Sequence, residues 1–132
     1  MIIVLDASSG IEISLNRNNA QYLDSYISEA TKIITSDLYK AEVANVIWKY
    51  VNAKLLDKEY AIRTLQLCEG IIDEYIEMDS NNEEALNEGI RLDHSVYDLL
   101  YLTIARRFGG KLATMDKKLK KLAIENGIDV ID

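Results

Sequence analysis

The chain contains no proline, and glycine occurs only six times in 132 residues. With helix formers dominant, that scarcity favours a helix-rich domain with short connections. There is one cysteine, Cys68, so an internal disulfide is excluded. There is one histidine, His94, and no Cys/His spacing of a zinc site. A glycine-rich phosphate loop and an HExxH helix are also missing. The opening apolar run, Ile2 to Leu5, is far too short to span a bilayer and stops at Asp6. Nothing like a signal peptide precedes it, so the expectation is a soluble, cytoplasmic protein without a membrane segment.

What the chain has is apolar content and acid. It is 48% hydrophobic, enough to bury a real core, and it reads as one domain over residues 1–132. Its formal net charge of −7 argues against nucleic-acid binding, because phosphates prefer basic surfaces. Nucleic-acid binding by such a chain would require several of the acids to be neutralised as metal ligands, or a basic partner to cover an acidic face.

Ile2 to Leu5 is a short, uniformly apolar run, which suits a strand buried on both faces of a parallel sheet. Helices are expected near 8–15 and 18–31, the second with Tyr22, Leu23 and Ile27 inward. A strand over 32–35 follows, then a helix capped by Ser36 or Asp37 and running to about Ala53. Further helices are expected near 57–74 and 82–91, the latter capped near Asn81, with a short strand over 75–78 between them. Ser95 opens a strong helix that ends at Gly109-Gly110. A strand over 111–114, a basic helix over 117–126 and a last strand over 128–131 complete the chain. Strands alternating with helices imply βαβ crossovers, hence an α/β fold with a central parallel sheet covered by helices.

In such a sheet, ligands bind beyond the C-terminal ends of the strands. Asp6 ends the first strand, and Asp116 closely follows the strand at 112–114. Asp98 lies in the first turn of one helix and Glu42 in the second turn of another, so both belong at the same edge. Each acid has a plainer reading. Asp6 and Asp116 suit helix N-caps. Ser95 and Asp98 have capping-box spacing, and Glu42 alone reads as a solvated helical acid. The hydroxyls of Ser8 and Thr114 are placed to orient a carboxylate from behind. Lys117 and Lys118, next to Asp116, are candidates for nucleic-acid contact, against the plainer reading of a solvated lysine face. Arg106 and Arg107 lie at the far end of Asp98's helix and suit its C-terminus. His94, in a polar turn without a nucleophile partner, is not assigned a catalytic part.

Four segments resemble the motifs of the PIN domain family, in order and over essentially the full length. They are Val4-Leu5-Asp6-Ala7-Ser8, the Leu38 to Asn45 segment around Glu42, Ser95 to Leu102 around Asp98, and Leu112-Ala113-Thr114-Met115-Asp116. Length and the ending Gly127-Ile128-Asp129-Val130 are similar to the VapC toxins of that family. The resemblance implies a three-layer α/β/α sandwich and Mg²⁺- or Mn²⁺-dependent endoribonuclease activity. It assigns Asp6, Glu42, Asp98 and Asp116 as the catalytic and metal-ligating set. It also implies a small antitoxin partner and a homodimer. Two departures stand out: many members carry a proline before the Glu helix, and some carry an acid at the position of Leu119. The alternative is a catalytically degenerate PIN-like module that binds protein or RNA.

Overall fold

A computed structural model describes residues 1–132. Four parallel strands form one sheet in the order β3-β2-β1-β4, with β1 at Ile2–Leu5, β2 at Lys32–Ser36, β3 at Glu74–Ile76 and β4 at Lys111–Ala113. Seven helices surround it: α1 Ala7–Ser14, α2 Ala20–Glu29, α3 Leu38–Asn52, α4 Lys58–Gly70, α5 Asn82–Leu92, α6 Val96–Phe108 and α7 Lys117–Glu125. The architecture is the expected α/β/α sandwich.

The sheet is made of residues that want no water. Ile3, Val4, Leu5, Ile34 and Leu112 are essentially inaccessible, as strands covered on both faces require. Helix α6 lies against β1, β2 and β4 and carries α5 on its outer side, while α1 packs on α2, α3 and α4. Seven consecutive residues of α6, Leu99 to Ala105, are buried, so this helix is core on nearly every side.

Strand order places the site. The chain steps outward from β1 to β2 and β3, then returns to the opposite side of β1 for β4. The connections leaving β1 and β4 therefore diverge, and a crevice opens at their C-terminal ends. Asp6 N–H donates to Ala113 O at 3.1 Å, tying the two strand ends together at that point.

The structure corrects several local expectations. Residues 128–131 do not form a strand; Val130 makes only an isolated bridge to Leu112. The fourth helix ends at Gly70, four residues short of the expected limit, because the chain must turn into β3. Tyr22 faces outward at 45% exposure, its phenol 3.3 Å from that of Tyr26, whereas Leu23 is buried as expected. Asn81 precedes α5 without capping it, because its amide turns inward to donate to Leu100 O and to accept from Thr103 Oγ1. At α3 the side chain bonded to the first turn is Ser36, whose Oγ accepts the Leu38 N–H; Asp37 makes no capping bond.

Candidate functional site

Asp6 leaves β1 with extended backbone and caps α1, Oδ1 accepting the Ser9 N–H at 3.0 Å. The Ser8 hydroxyl donates to the same oxygen at 2.7 Å, and Thr114 Oγ1 donates to Oδ2. Ser8 Oγ also accepts the Met115 N–H at 2.9 Å, and Thr114 Oγ1 the Asp116 N–H at 3.0 Å. The two hydroxyls thus fasten the loop after β4 to the carboxylate after β1, a contact across 108 positions of sequence.

Asp116 caps α7, its Oδ1 accepting the N–H groups of Lys118 and Leu119 at 2.9 and 3.2 Å. Glu42 projects from the second turn of α3, and the Tyr101 hydroxyl of α6 donates to its Oε1. Asp98 is not held as expected. Ser95 occupies the cap position of α6 but makes no side-chain capping bond, and Asp98 Oδ2 instead meets His94 Nε2 at 2.9 Å. The preceding turn brings His94 back over α6, so the imidazole meets the carboxylate in place of a reciprocal serine–acid box.

All four acids line one pocket of about 280 Å³, with Ser8, Asn45, Lys49 and Tyr101 among its other walls. Four elements far apart in sequence therefore supply carboxylates to one hollow beyond the strand ends. Lys117 and Lys118 are exposed and do not line it. Arg106 and Arg107 are engaged elsewhere, Arg106 with Glu84 and Glu88, and Arg107 with Glu84.

The electrostatics follow from the crowding. Burial raises the pKa of Asp6, against the hydrogen bonds from Thr114, Ser8 and Ser9, and the Asp98 charge raises it further. Burial also raises that of Glu42, helped by Asp6 and Asp98 and opposed by the Tyr101 hydroxyl. Burial first, and then the Glu42 charge, raises the phenol of Tyr101, so it stays protonated and always donates. Like-charge repulsion among the acids contributes, but desolvation is the larger cause.

The donor set is entirely oxygen, which suits a hard divalent cation that keeps several of its waters. No three His, Cys, Asp or Glu side chains already stand at the spacing of a closed metal cluster. Each carboxylate is instead engaged by a hydroxyl, an imidazole or backbone N–H groups around an open pocket. The residues fit a cation held partly through water.

Of the groups at this site, Tyr101, Asn45, Lys49 and His94 were not anticipated. Spacing held the signal. Tyr101 is three residues after Asp98, and Asn45 and Lys49 are three and seven after Glu42, whereas His94 lies in the turn before α6, where helical spacing gives no signal. Residues three, four or seven apart share a helix face.

Comparison with known proteins places the geometry in context. A PIN domain profile matches residues 3–125. Ribonuclease VapC3 of Pyrobaculum aerophilum is 30% identical over 124 residues, spanning 90% of this chain and 92% of its own length. The crystal structure of PAE2754 from the same organism superposes with a TM-score of 0.73 at 21% identity, over 96% of this chain and 90% of that one. VapBC2 from Rickettsia felis, solved bound to a DNA fragment from its promoter, gives 0.68 at 17% identity, over 98% and 97%.

Proposed function

The chain belongs to the PIN domain family, and on that premise we propose that it is a Mg²⁺- or Mn²⁺-dependent endoribonuclease, the toxin of a VapBC-type pair. The observation that carries this reading is the meeting of Asp6, Glu42, Asp98 and Asp116 in one pocket at the crevice between β1 and β4. The similarity to Ribonuclease VapC3 over nine-tenths of the chain supports the substrate class. A small antitoxin as partner, a homodimeric state and a cytoplasmic location belong to the same proposal. No helix is long and apolar enough to cross a membrane.

Asp6, Asp98 and Asp116 would hold the cation directly or through water, and Glu42 would ligate it or orient the attacking water. When bound, a divalent cation supplies Lewis acidity that favours ionisation of water and stabilises charge on the phosphate. The chain's own contribution is preorganisation. Ser8 and Thr114 lock the Asp6 carboxylate to the β4 loop, and Tyr101 fixes Glu42 from inside α6. Carboxylates held in this way would meet a phosphodiester with little rearrangement of their own.

Thermal melting against Mn²⁺ concentration, after chelation, tests the site. The wild-type midpoint is expected to rise with metal, as binding to the native state alone requires. Asp6→Asn should lose that rise together with cleavage of a single-stranded RNA. No rise in wild type up to millimolar Mn²⁺ would overturn the catalytic reading in favour of a degenerate binding module.

A further inference from the structure

The pocket described above has acidic walls, yet its proposed substrate is a polyanion. A bound cation would offset part of that charge at the acids, and a cationic side chain on the pocket wall would add a contact to the flanking phosphates. Of the chain's 15 lysines and arginines, Lys54, Lys58, Arg63 and Lys111 form no ion pair but do not line the pocket, and most of the others are engaged elsewhere. Arg17, Arg91, Arg106 and Arg107 pair with Glu12, Glu88 and Glu84. Lys32, Lys120 and Lys121 pair with Glu74, Asp132 and Glu125. Lys40 lies over the Tyr75 ring at 4.3 Å. Lys117 and Lys118 follow Asp116 in sequence but do not line the pocket.

Lys49 is the one cation among the pocket's lining residues, and it forms no ion pair with any carboxylate of the chain. It is exposed, on the same face of α3 as Glu42, Asn45 and Val46, all of which line the pocket. Seven residues carry its Cα about 10 Å along the axis from that of Glu42. Helical side chains lean toward the N-terminus, which tips a long lysine back toward the acids. Asn45, between them, offers an amide that can both donate and accept.

We infer that Lys49, with Asn45 beside it, is the phosphate-contacting rail of this pocket: it holds the RNA backbone on the α3 side while the four acids face the bond to be cut. The assignment rests on the ribonuclease reading and names the substrate contact that reading lacks. Lys49 is thereby a substrate-positioning residue and takes no part in holding metal.

The test is fluorescence anisotropy of a 5′-fluorescein-labelled single-stranded RNA with Mg²⁺ present, over a series of KCl concentrations. Asp116→Asn serves as the background, since asparagine keeps the α7 cap while cleavage is suppressed. Adding Lys49→Ala should weaken RNA binding several-fold and reduce the slope of log K against log salt by about 0.7, one phosphate contact on a single strand. Lys49→Arg should restore the slope, and Lys117→Ala should leave it close to that of the background protein. The Mn²⁺-dependent melting shift of the otherwise wild-type Lys49→Ala protein should be unchanged, which separates RNA contact from metal binding. An unaltered affinity and slope in Lys49→Ala, with RNA bound by the background protein, would overturn the assignment and leave the nuclease reading standing. Failure of the background protein to bind RNA, with no cleavage by wild type, would overturn the nuclease reading and the assignment with it.

Discussion

Tyr101 is 2% exposed, yet its hydroxyl reaches the pocket and donates to Glu42. The phenol cannot ionise under ordinary conditions, because burial and the adjacent Glu42 charge push its pKa up. It is therefore a fixed donor that favours the charged, ligand-competent form of Glu42 and restricts its rotamer. Groups that hold a metal's carboxylates from behind typically matter by about 10- to 100-fold in affinity or activity. Tyr101→Phe should lower Mn²⁺ affinity by about that factor. The ring keeps its packing, so the change in metal-free melting should be small by comparison. Equal Mn²⁺ titrations of the two proteins, followed by melting temperature, would show the phenol to be irrelevant to the site.

Helix starts carry two of the acids, and each of these carries two duties. Asp116 accepts two N–H groups at the head of α7 while lining the pocket. Asp6 does the same at α1 with one N–H. Capping and ligation can be separated at Asp116, where the side chain is exposed. In chelator, Asp116→Ala should cost about 1 kcal/mol through loss of the cap. Asp116→Asn should cost a few tenths at most, as the two residues cap about equally well. Both should lose the metal-dependent rise in melting temperature, since neither restores the charge. Denaturant unfolding of the pair, with and without Mn²⁺, reads the two duties independently. Close helix contact sets a further constraint nearby: a Cβ at Gly10 would stand 2.2 Å from the Tyr39 hydroxyl. The approach of α1 to α3 thus depends on the missing side chain.

Across the whole molecule, the metal-free protein holds its acids against their preference. Asp6 and Glu42, with ordinary values of 3.8 and 4.5, are raised in the folded state chiefly by burial. In the window above those values the native chain binds more protons than the unfolded chain. The stability these two groups contribute is thus fully present below the unfolded values and is lost as pH rises through the folded ones. Glu84 and Glu88 act in the opposite sense. Burial opposes ionisation of Glu84, but hydrogen bonds from Arg106 and Arg107 outweigh it; Arg91 and Arg106 lower Glu88. Their contribution is present above the unfolded value and is lost as pH falls through the folded ones. A difference curve isolates the site: in chelator, Glu42→Gln should lose less stability than wild type as pH rises from about 4.5 toward neutrality. Parallel melting curves for the two proteins over that range would refute it.

Much of this architecture was legible from local chemistry. Apolar runs of β-branched residues marked β1 and β2, Gly109 marked the end of α6, and Asp6 and Asp116 stood where strands give way to helices. These features depend on neighbours a few residues away, so a linear reading reaches them. Ser8 and Thr114 were legible for the same reason, as hydroxyls beside Asp6 and Asp116, whereas joining the four acids into one set drew on the resemblance of four ordered motifs. Four things needed the third dimension. Ser95 and Asp98 have the spacing of a capping box, but the turn before α6 brings His94 to the carboxylate first. Residues 128–131 look like a strand but find only one bridge beside β4. Tyr101 reads as core from its helix, and only the approach of α3 to α6 places its hydroxyl on Glu42. Lys49 reads as one solvated lysine among many until the fold shows which cations are already paired and which one faces the acids. Local sequence determined most of the strands and helices and where the acids lie along them. Packing between elements decided which side chains answer those acids, because such contacts are set by distances that sequence separation does not encode.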